Sequence, residues 1–293
     1  MRYITSILLL MFCGYAFSAD TPFDQTPSHG PDPDKLWLRS HAAVVMDQHS
    51  GQILYQKNAS QVLPIASITK LMTAMVVIDA GQDMQEELRI TKEDKDTLRY
   101  SKSRLPVGSR LTRMDMLKIA LMASENRAAS ALARSFPGGR QAFIDAMNNK
   151  SKALGMLQTR FSDSTGLITE NHSTAQDLAI LLKSAWQYPL IRHISGTGQD
   201  AVTLHNRKNS LEFFNTNRLV RRSKWQIGMS KTGYIKESGR CLVMQTSISN
   251  RDLFVVLLNA QGRLSSYGDS GRIRRWLEKY DTAQQASRAS HNI

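Results

Sequence analysis

Cysteine is nearly absent. Cys13 and Cys241 are the only two thiols in 293 residues, too few for a disulfide framework or a cysteine-rich metal site. The seven histidines (His29, His41, His49, His172, His193, His205 and His291) never fall in the H-E-x-x-H spacing of a zinc peptidase. His172 reads as a residue that shapes the loop ahead of a helix. Neither a glycine-rich nucleotide loop nor an internal repeat is present. No metal or cofactor is therefore expected. Acidic charge is also short, 25 Asp and Glu against 38 Lys and Arg, a net charge of +13. Zinc-finger spacing and aromatic RNA-binding motifs are both missing, so this basicity does not point to nucleic acid. The densest basic run, "RLVRRSK" at 218–224, reads as a solvated loop.

What is there begins with an export signal. Met1-Arg2 is a short basic start, positions 4–12 are almost wholly apolar, and "GYAFSAD" supplies small residues at Ala16, Ser18 and Ala19. That is the layout of a cleaved secretory signal over residues 1–18. The apolar run is too short for a stable span as a retained anchor. Phe12 is too bulky to precede a lipoprotein cysteine at Cys13. The expected location is the periplasm. An exported basic protein meets anionic phospholipid or carboxylate-bearing wall polymer, which allows peripheral association with membrane or wall. With Cys13 removed, Cys241 stands alone in the alternating stretch "GRCLVMQ" and reads as a buried strand residue.

Residues 19–35 are polar and proline-rich and read as a flexible leader. "AAVVMDQHSGQILYQKNAS" predicts a β-hairpin about "HSGQ". Positions 64–80 predict a helix closed by Gly81, with Ile68, Leu71, Met72, Met75 and Val76 wrapped in core. The middle is helical: one helix capped by Thr112, others over "NRAASALARSF" and "GRQAFIDAMNNKSKALG", and another capped by Ser173 or Thr174. A turn-rich loop, "TRFSDSTGLITEN", intervenes. Three β runs follow, "WQIGMSKTGYI", "RCLVMQTSIS" and "DLFVVLLNA", then a helix, "SGRIRRWLEKY", and a polar tail at 281–293. Trp37, Trp186, Trp225 and Trp276 read as packing residues. Strands at both ends with helices between predict an α+β fold, one antiparallel sheet from the N-terminal hairpin and the C-terminal strands, with an inserted helical subdomain. A site belongs in the cleft between the two.

"PIASITKLMTAMVV" sets Lys70 three residues after Ser67, on the same helical face. Unpaired N–H groups at a helix start favour an oxyanion beside the serine and disfavour a charged lysine. To act as base, Lys70 must lose its proton well below the ordinary lysine range, which takes burial or a positive neighbour. Alone, S-x-x-K is common and fits a lysine snorkelling from a core helix. Two later motifs decide the matter. "MASENRA" carries Ser124 and Asn126 at a break between helices, and "MSKTGYI" carries Lys231, Thr232 and Gly233 on a strand. Lys231 is the positive neighbour expected to depress Lys70.

S-x-x-K, S-x-N and K-T-G in this order resemble the penicillin-binding proteins and serine β-lactamases. "FSDSTGL…NHSTAQDLAIL" and "GMSKTGYIKESGRCLVM" extend the resemblance over residues 36–280, to the low-molecular-mass D-alanyl-D-alanine peptidases of endopeptidase type. The resemblance implies a DD-peptidase/β-lactamase-like catalytic domain with Ser67 as the acylated nucleophile and Lys70 as its base. Ser124, between Lys70 and Lys231, would pass the proton to the leaving amine, and Asn126 would orient Lys70 and bind the substrate amide. Lys231 would hold positive charge, Thr232 grip the substrate carboxylate, and Gly233 leave room for an antiparallel substrate backbone. The N–H groups of Ser67 and Tyr234 would form the oxyanion hole. The implied substrate is a D-Ala-to-diaminopimelate cross-link of peptidoglycan, with β-lactams as covalent inhibitors.

Two neighbouring activities would leave different marks in the sequence. A class A β-lactamase deacylates through a glutamate, but Glu170, the only glutamate between positions 127 and 211, lacks E-x-x-L-N surroundings and reads as a loop charge. Slow deacylation is expected. Related carboxypeptidases often continue into a β-rich domain and an anchor helix, and the short tail here favours the endopeptidase type. A non-catalytic wall-binding protein would need the basic charge but not the three motifs.

Overall fold

The computed structural model describes residues 31–205 and 210–291. The signal expected over residues 1–18 lies outside them, as does most of the expected leader. The last leader residues are not a loose strap: 33–35 form a 3₁₀ turn, and Trp276 Nε1 donates to Asp32 O at 2.8 Å.

Strands β1 (Ala42–Asp47) and β2 (Ile53–Lys57) make the N-terminal hairpin. After the two-residue strand β3 (Leu63–Pro64) and a 3₁₀ turn at Ala66–Ile68 comes helix α1 (Thr69–Asp79). The helix therefore starts later than its apolar spacing suggests. Positions 69–77 are all buried, so α1 is the central rod of the molecule. A short ladder of β4 (Glu87–Arg89) and β5 (Arg110–Thr112) leads to α2 (Arg113–Met122), α3 (Asn126–Arg134) and α4 (Gly139–Ala153). Strand β6 (His172–Ser173) pairs with β3, opposing His172 to Pro64, and precedes α5 (Ala175–Ala185) and α6 (Pro189–Gly196). Thr112 and Thr174 cap α2 and α5 by accepting from Asp115 N and Asp177 N, both at 3.0 Å, contacts typically worth about 1 kcal/mol each.

Strands β7 (Gln199–Thr203) and β8 (Ser210–Phe214) form a separate ladder that the apolar pattern does not reveal. Then come β9 (Gln226–Ile235), β10 (Gly239–Ile248), β11 (Arg251–Ala260) and α7 (Ser265–His291). The last helix runs through residues read above as a polar tail. "DTAQQASRASH" has no proline or glycine to stop it, and Asp281 pairs with Arg251 at 3.3 Å.

The main sheet is fully antiparallel, in the order β2-β1-β11-β10-β9. Both faces are covered, so β11 reads as a near-continuous apolar run. Val44, Val243 and Val256 face α1 and α5, while Val45, Met244 and Leu257 pack with Ile273, Trp276 and Leu277 of α7. Trp186 meets Phe254 edge-on and Trp276 meets Tyr55, as packing residues should. Trp37 is the exception: it is exposed beneath the Arg272 guanidinium. In the helical subdomain the buried Asp94 gathers Arg134, Arg140 and Ser130 Oγ, tying the 91–94 turn to α3 and α4.

Candidate active site

Strand β9 is a sheet edge, and its outer side faces the helical subdomain across a cleft of about 520 Å³. Ser67, Ser124, Asn126, Thr232, Gly233 and Tyr234 all line it. Positions widely separated in sequence thus meet along one cleft, while Lys70 and Lys231 are buried beside it.

Ser67 sits in the 3₁₀ turn just before α1. Lys70 Nζ lies 3.0 Å from Ser67 Oγ, 2.7 Å from Asn126 Oδ1 and 2.6 Å from Thr165 O. A neutral amine that donates its two hydrogens to Asn126 and Thr165 has its lone pair left for the serine hydroxyl. Asn126 is held in turn, its Nδ2 donating to Ser101 Oγ at 2.9 Å. Burial pushes Lys70 down to about 8, against Asp163 and Glu125, whose charges favour the ammonium form. Burial, and then the charge of Lys70, push Lys231 well below the ordinary lysine range. This corrects the sequence expectation in one respect. Burial is what depresses Lys70, and the repulsion between the two lysines is felt at Lys231.

The backbone around the pair is strained in two places. Ala66, immediately before the nucleophile, has φ +47°, and Ser124 has φ +61°. Side-chain-bearing residues rarely adopt such angles, which cluster at functional sites. Ser124 opens onto the cleft at the break between α2 and α3, where the Glu125 side chain caps α3. No hydrogen bond joins its hydroxyl to either lysine. Lys231 is buried, and its Nζ donates to Thr232 O at 2.9 Å. Thr232 Oγ1 donates to Thr216 Oγ1 at 2.7 Å. Gly233 leaves no room for a side chain: a Cβ there would stand 2.9 Å from Ile65 O and 3.0 Å from Ser67 N. Strand β9 thus lies directly against the nucleophile's turn.

The loop 162–171 supplies what the motifs do not. Asp163 accepts from Gly166 N at 2.7 Å and bonds Thr165 Oγ1 and Asn171 Nδ2, while Asn171 Oδ1 accepts from Ser162 N. This knot presents Thr165 O to Lys70. Gly166 has φ +79°, and a Cβ there would fall 1.9 Å from Ala66 O. Gly166→Ala is therefore expected to cost about 3–5 kcal/mol through left-handed strain and backbone collision. Chemical denaturation would show this as a lower midpoint at unchanged m-value.

Cys241 is buried, and burial pushes its thiol up to about 11, so it is inert at neutral pH. Glu170 is exposed and accepts only from its neighbour Thr169 Oγ1. No carboxylate lines the cleft among the described residues.

A serine hydroxyl against a buried lysine, in a cleft along the edge strand of a sheet, is the arrangement of an acyl-serine peptidase of the penicillin-binding fold class. The solved structures agree. The Streptomyces K15 DD-transpeptidase superposes with TM-score 0.76 at 25% identity, covering 82% of this chain and 97% of that one. Penicillin-binding protein D2 from Listeria monocytogenes, in its cefotaxime-bound form, superposes with TM-score 0.72 at 26% identity, covering 82% and 98%. The model of the D-alanyl-D-alanine carboxypeptidase family matches residues 29–262, and the chain belongs to that family of serine peptidases. Among its relatives, the D-alanyl-D-alanine endopeptidase of Pseudomonas aeruginosa is 44% identical over 94% of this chain and 87% of its own. The endopeptidase of Escherichia coli is 44% identical over 82% and 78%.

Proposed function

We propose that this protein is a periplasmic D-alanyl-D-alanine endopeptidase that cuts D-Ala-to-diaminopimelate cross-links of peptidoglycan through an acyl-serine intermediate. The observation that carries this reading is the contact of the buried Lys70 Nζ with the cleft-lining Ser67 Oγ at 3.0 Å. The 44% identity to two endopeptidases favours the cross-link over a terminal D-Ala as the bond cut.

The chemistry follows from the groups in place. Lys70 takes the Ser67 proton as Oγ attacks the D-Ala carbonyl carbon. The N–H groups of Ser67 and Tyr234 receive the oxyanion, each such donor being typically worth about 3 kcal/mol. The C–N bond then breaks, and the diaminopimelate amine departs with a proton delivered through Ser124, leaving D-Ala esterified to Ser67. Water hydrolyses the ester and restores the hydroxyl. Lys231 supplies positive charge, Thr232 binds the carboxylate beside the scissile amide, and Asn126 holds both Lys70 and the substrate amide. A β-lactam enters the same path but leaves slowly, since no cleft carboxylate activates a deacylating water. The basic surface suits the anionic wall or membrane surface.

The test gives the purified protein a cross-linked muropeptide dimer and, separately, a pentapeptide monomer. The expected result is dimer converted to monomers at least tenfold faster than the pentapeptide loses D-Ala. The reverse order reassigns the protein as a carboxypeptidase. Turnover of neither overturns the reading.

A further inference from the structure

The cleft continues past the reacting groups along β9. An antiparallel substrate with its carboxylate at Thr232 runs toward the C-terminal end of that strand, so its upstream residues pass Tyr234 and approach the β9–β10 turn. From Gly233 to Glu237 is four residues, about 13 Å at 3.3 Å per residue. Here Arg99, which lines the cleft from the 91–109 segment of the helical subdomain, pairs at 2.9 Å with Glu237 of the β9–β10 turn, just outside the cleft lining. Arg99 also donates through Nε to Leu167 O at 2.6 Å, which fixes its guanidinium beside the 162–171 loop. Both side chains remain part-exposed, 27% for Arg99 and 44% for Glu237. The neighbouring cation Arg240 is already stacked 4.1 Å over the Tyr234 ring.

An exposed ion pair contributes little to stability, yet this one joins two lobes at the place where a donor peptide must pass. Its two ends offer a cation and an anion a few ångströms apart, complementary to a group bearing both an ammonium and a carboxylate. Diaminopimelate ends its side chain in such a group, and in the donor strand it is the residue before the scissile D-Ala. Resting on the endopeptidase reading above, we infer that Arg99 and Glu237 form a specificity subsite for the zwitterionic end of the donor diaminopimelate. Arg99 exchanges Glu237 for the substrate carboxylate, and Glu237 receives the ammonium. The guanidinium fork matches a carboxylate in two parallel hydrogen bonds. The pair is thus a positioning device for the donor peptide, and it does not touch the reacting atoms.

The test uses three synthetic cross-linked dimers in which the residue before the scissile D-Ala is diaminopimelate, its carboxyl-amidated form, or lysine. Wild type is expected to favour diaminopimelate over either analogue about tenfold in kcat/KM, through KM. Arg99→Ala is expected to erase the preference over the amidated dimer. Arg99→Ala also frees the Leu167 loop, so Glu237→Gln, which leaves that bond in place, is measured beside it. It is expected to raise KM for all three dimers, each of which carries the ammonium, with kcat unchanged. Equal cleavage of the three dimers by wild type overturns the subsite, as do variants that slow all three dimers alike through kcat, the behaviour of a structural clasp. Benzylpenicillin labelling of wild type separates the two levels: labelled protein without dimer preference overturns the subsite alone. Protein that neither labels nor cleaves overturns the endopeptidase reading and the subsite together.

Discussion

Ser67→Ala is expected to take up no benzylpenicillin and to cleave cross-linked dimers about a million-fold more slowly than wild type. Loss of the nucleophile in a serine hydrolase typically costs this much, because every later step depends on the acyl bond. Here the cause is local. Ser67 Oγ lies 3.4 Å from Thr165 O and 3.0 Å from Lys70 Nζ, and it lines the cleft. Alanine removes one atom and leaves the turn, the strained Ala66 and the buried lysine in place. The variant should therefore keep its thermal stability and still bind the peptide. Single-turnover kinetics beside a melting curve separates this result from unfolding.

Lys70→Met is the second large effect, about 10²–10⁴-fold in acylation rate, the usual worth of a positioned base. Methionine fills much of the lysine's volume without a proton acceptor. In wild type the acylation rate is expected to rise with pH and level off above about 8, as Lys70 sheds its proton and becomes the neutral acceptor. Stability carries the same signature. The folded value lies below the ordinary 10.5, so the unfolded chain binds more protons between about 8 and 10.5, and stability rises with pH across that window. Lys70→Met is expected to lose the share of this slope that Lys70 carries, while Lys231 keeps its own, because burial depresses it too. Urea titrations at pH 8 and pH 10 measure it directly. A variant with unaltered acylation would remove Lys70 from the mechanism.

The strands and helices that carry the motifs were legible because their patterns are long and regular. The β1–β2 hairpin and the three terminal strands stand where their apolar patterns set them, and α1 lies within its expected span but begins only at Thr69, after a 3₁₀ turn. The β7–β8 ladder was not legible, since its strands are short and half polar. The extension of α7 does not show in an apolar pattern because its residues are polar, although nothing in them breaks a helix. At the site, Ser67, Lys70, Asn126 and Gly233 announced themselves by residue type. Thr165 did not, because it acts through a backbone carbonyl that any residue carries. Gly166 in the turn-rich "DSTGL" was the available sign that another backbone passes close by. The left-handed angles of Ala66 and Ser124 leave no mark in sequence, since neither residue favours them. Arg99 and Glu237 are each ordinary surface charges until folding brings the two lobes together.

Time-resolved intact-mass spectrometry of the purified protein with benzylpenicillin, followed by peptide mapping, tests the acyl-serine chemistry most directly. The expected result is a single adduct of one penicillin that persists for many minutes and maps to Ser67. Unmodified protein with the penicillin intact would contradict the acyl-serine mechanism. Unmodified protein with the penicillin consumed would show rapid deacylation and make the chain a β-lactamase.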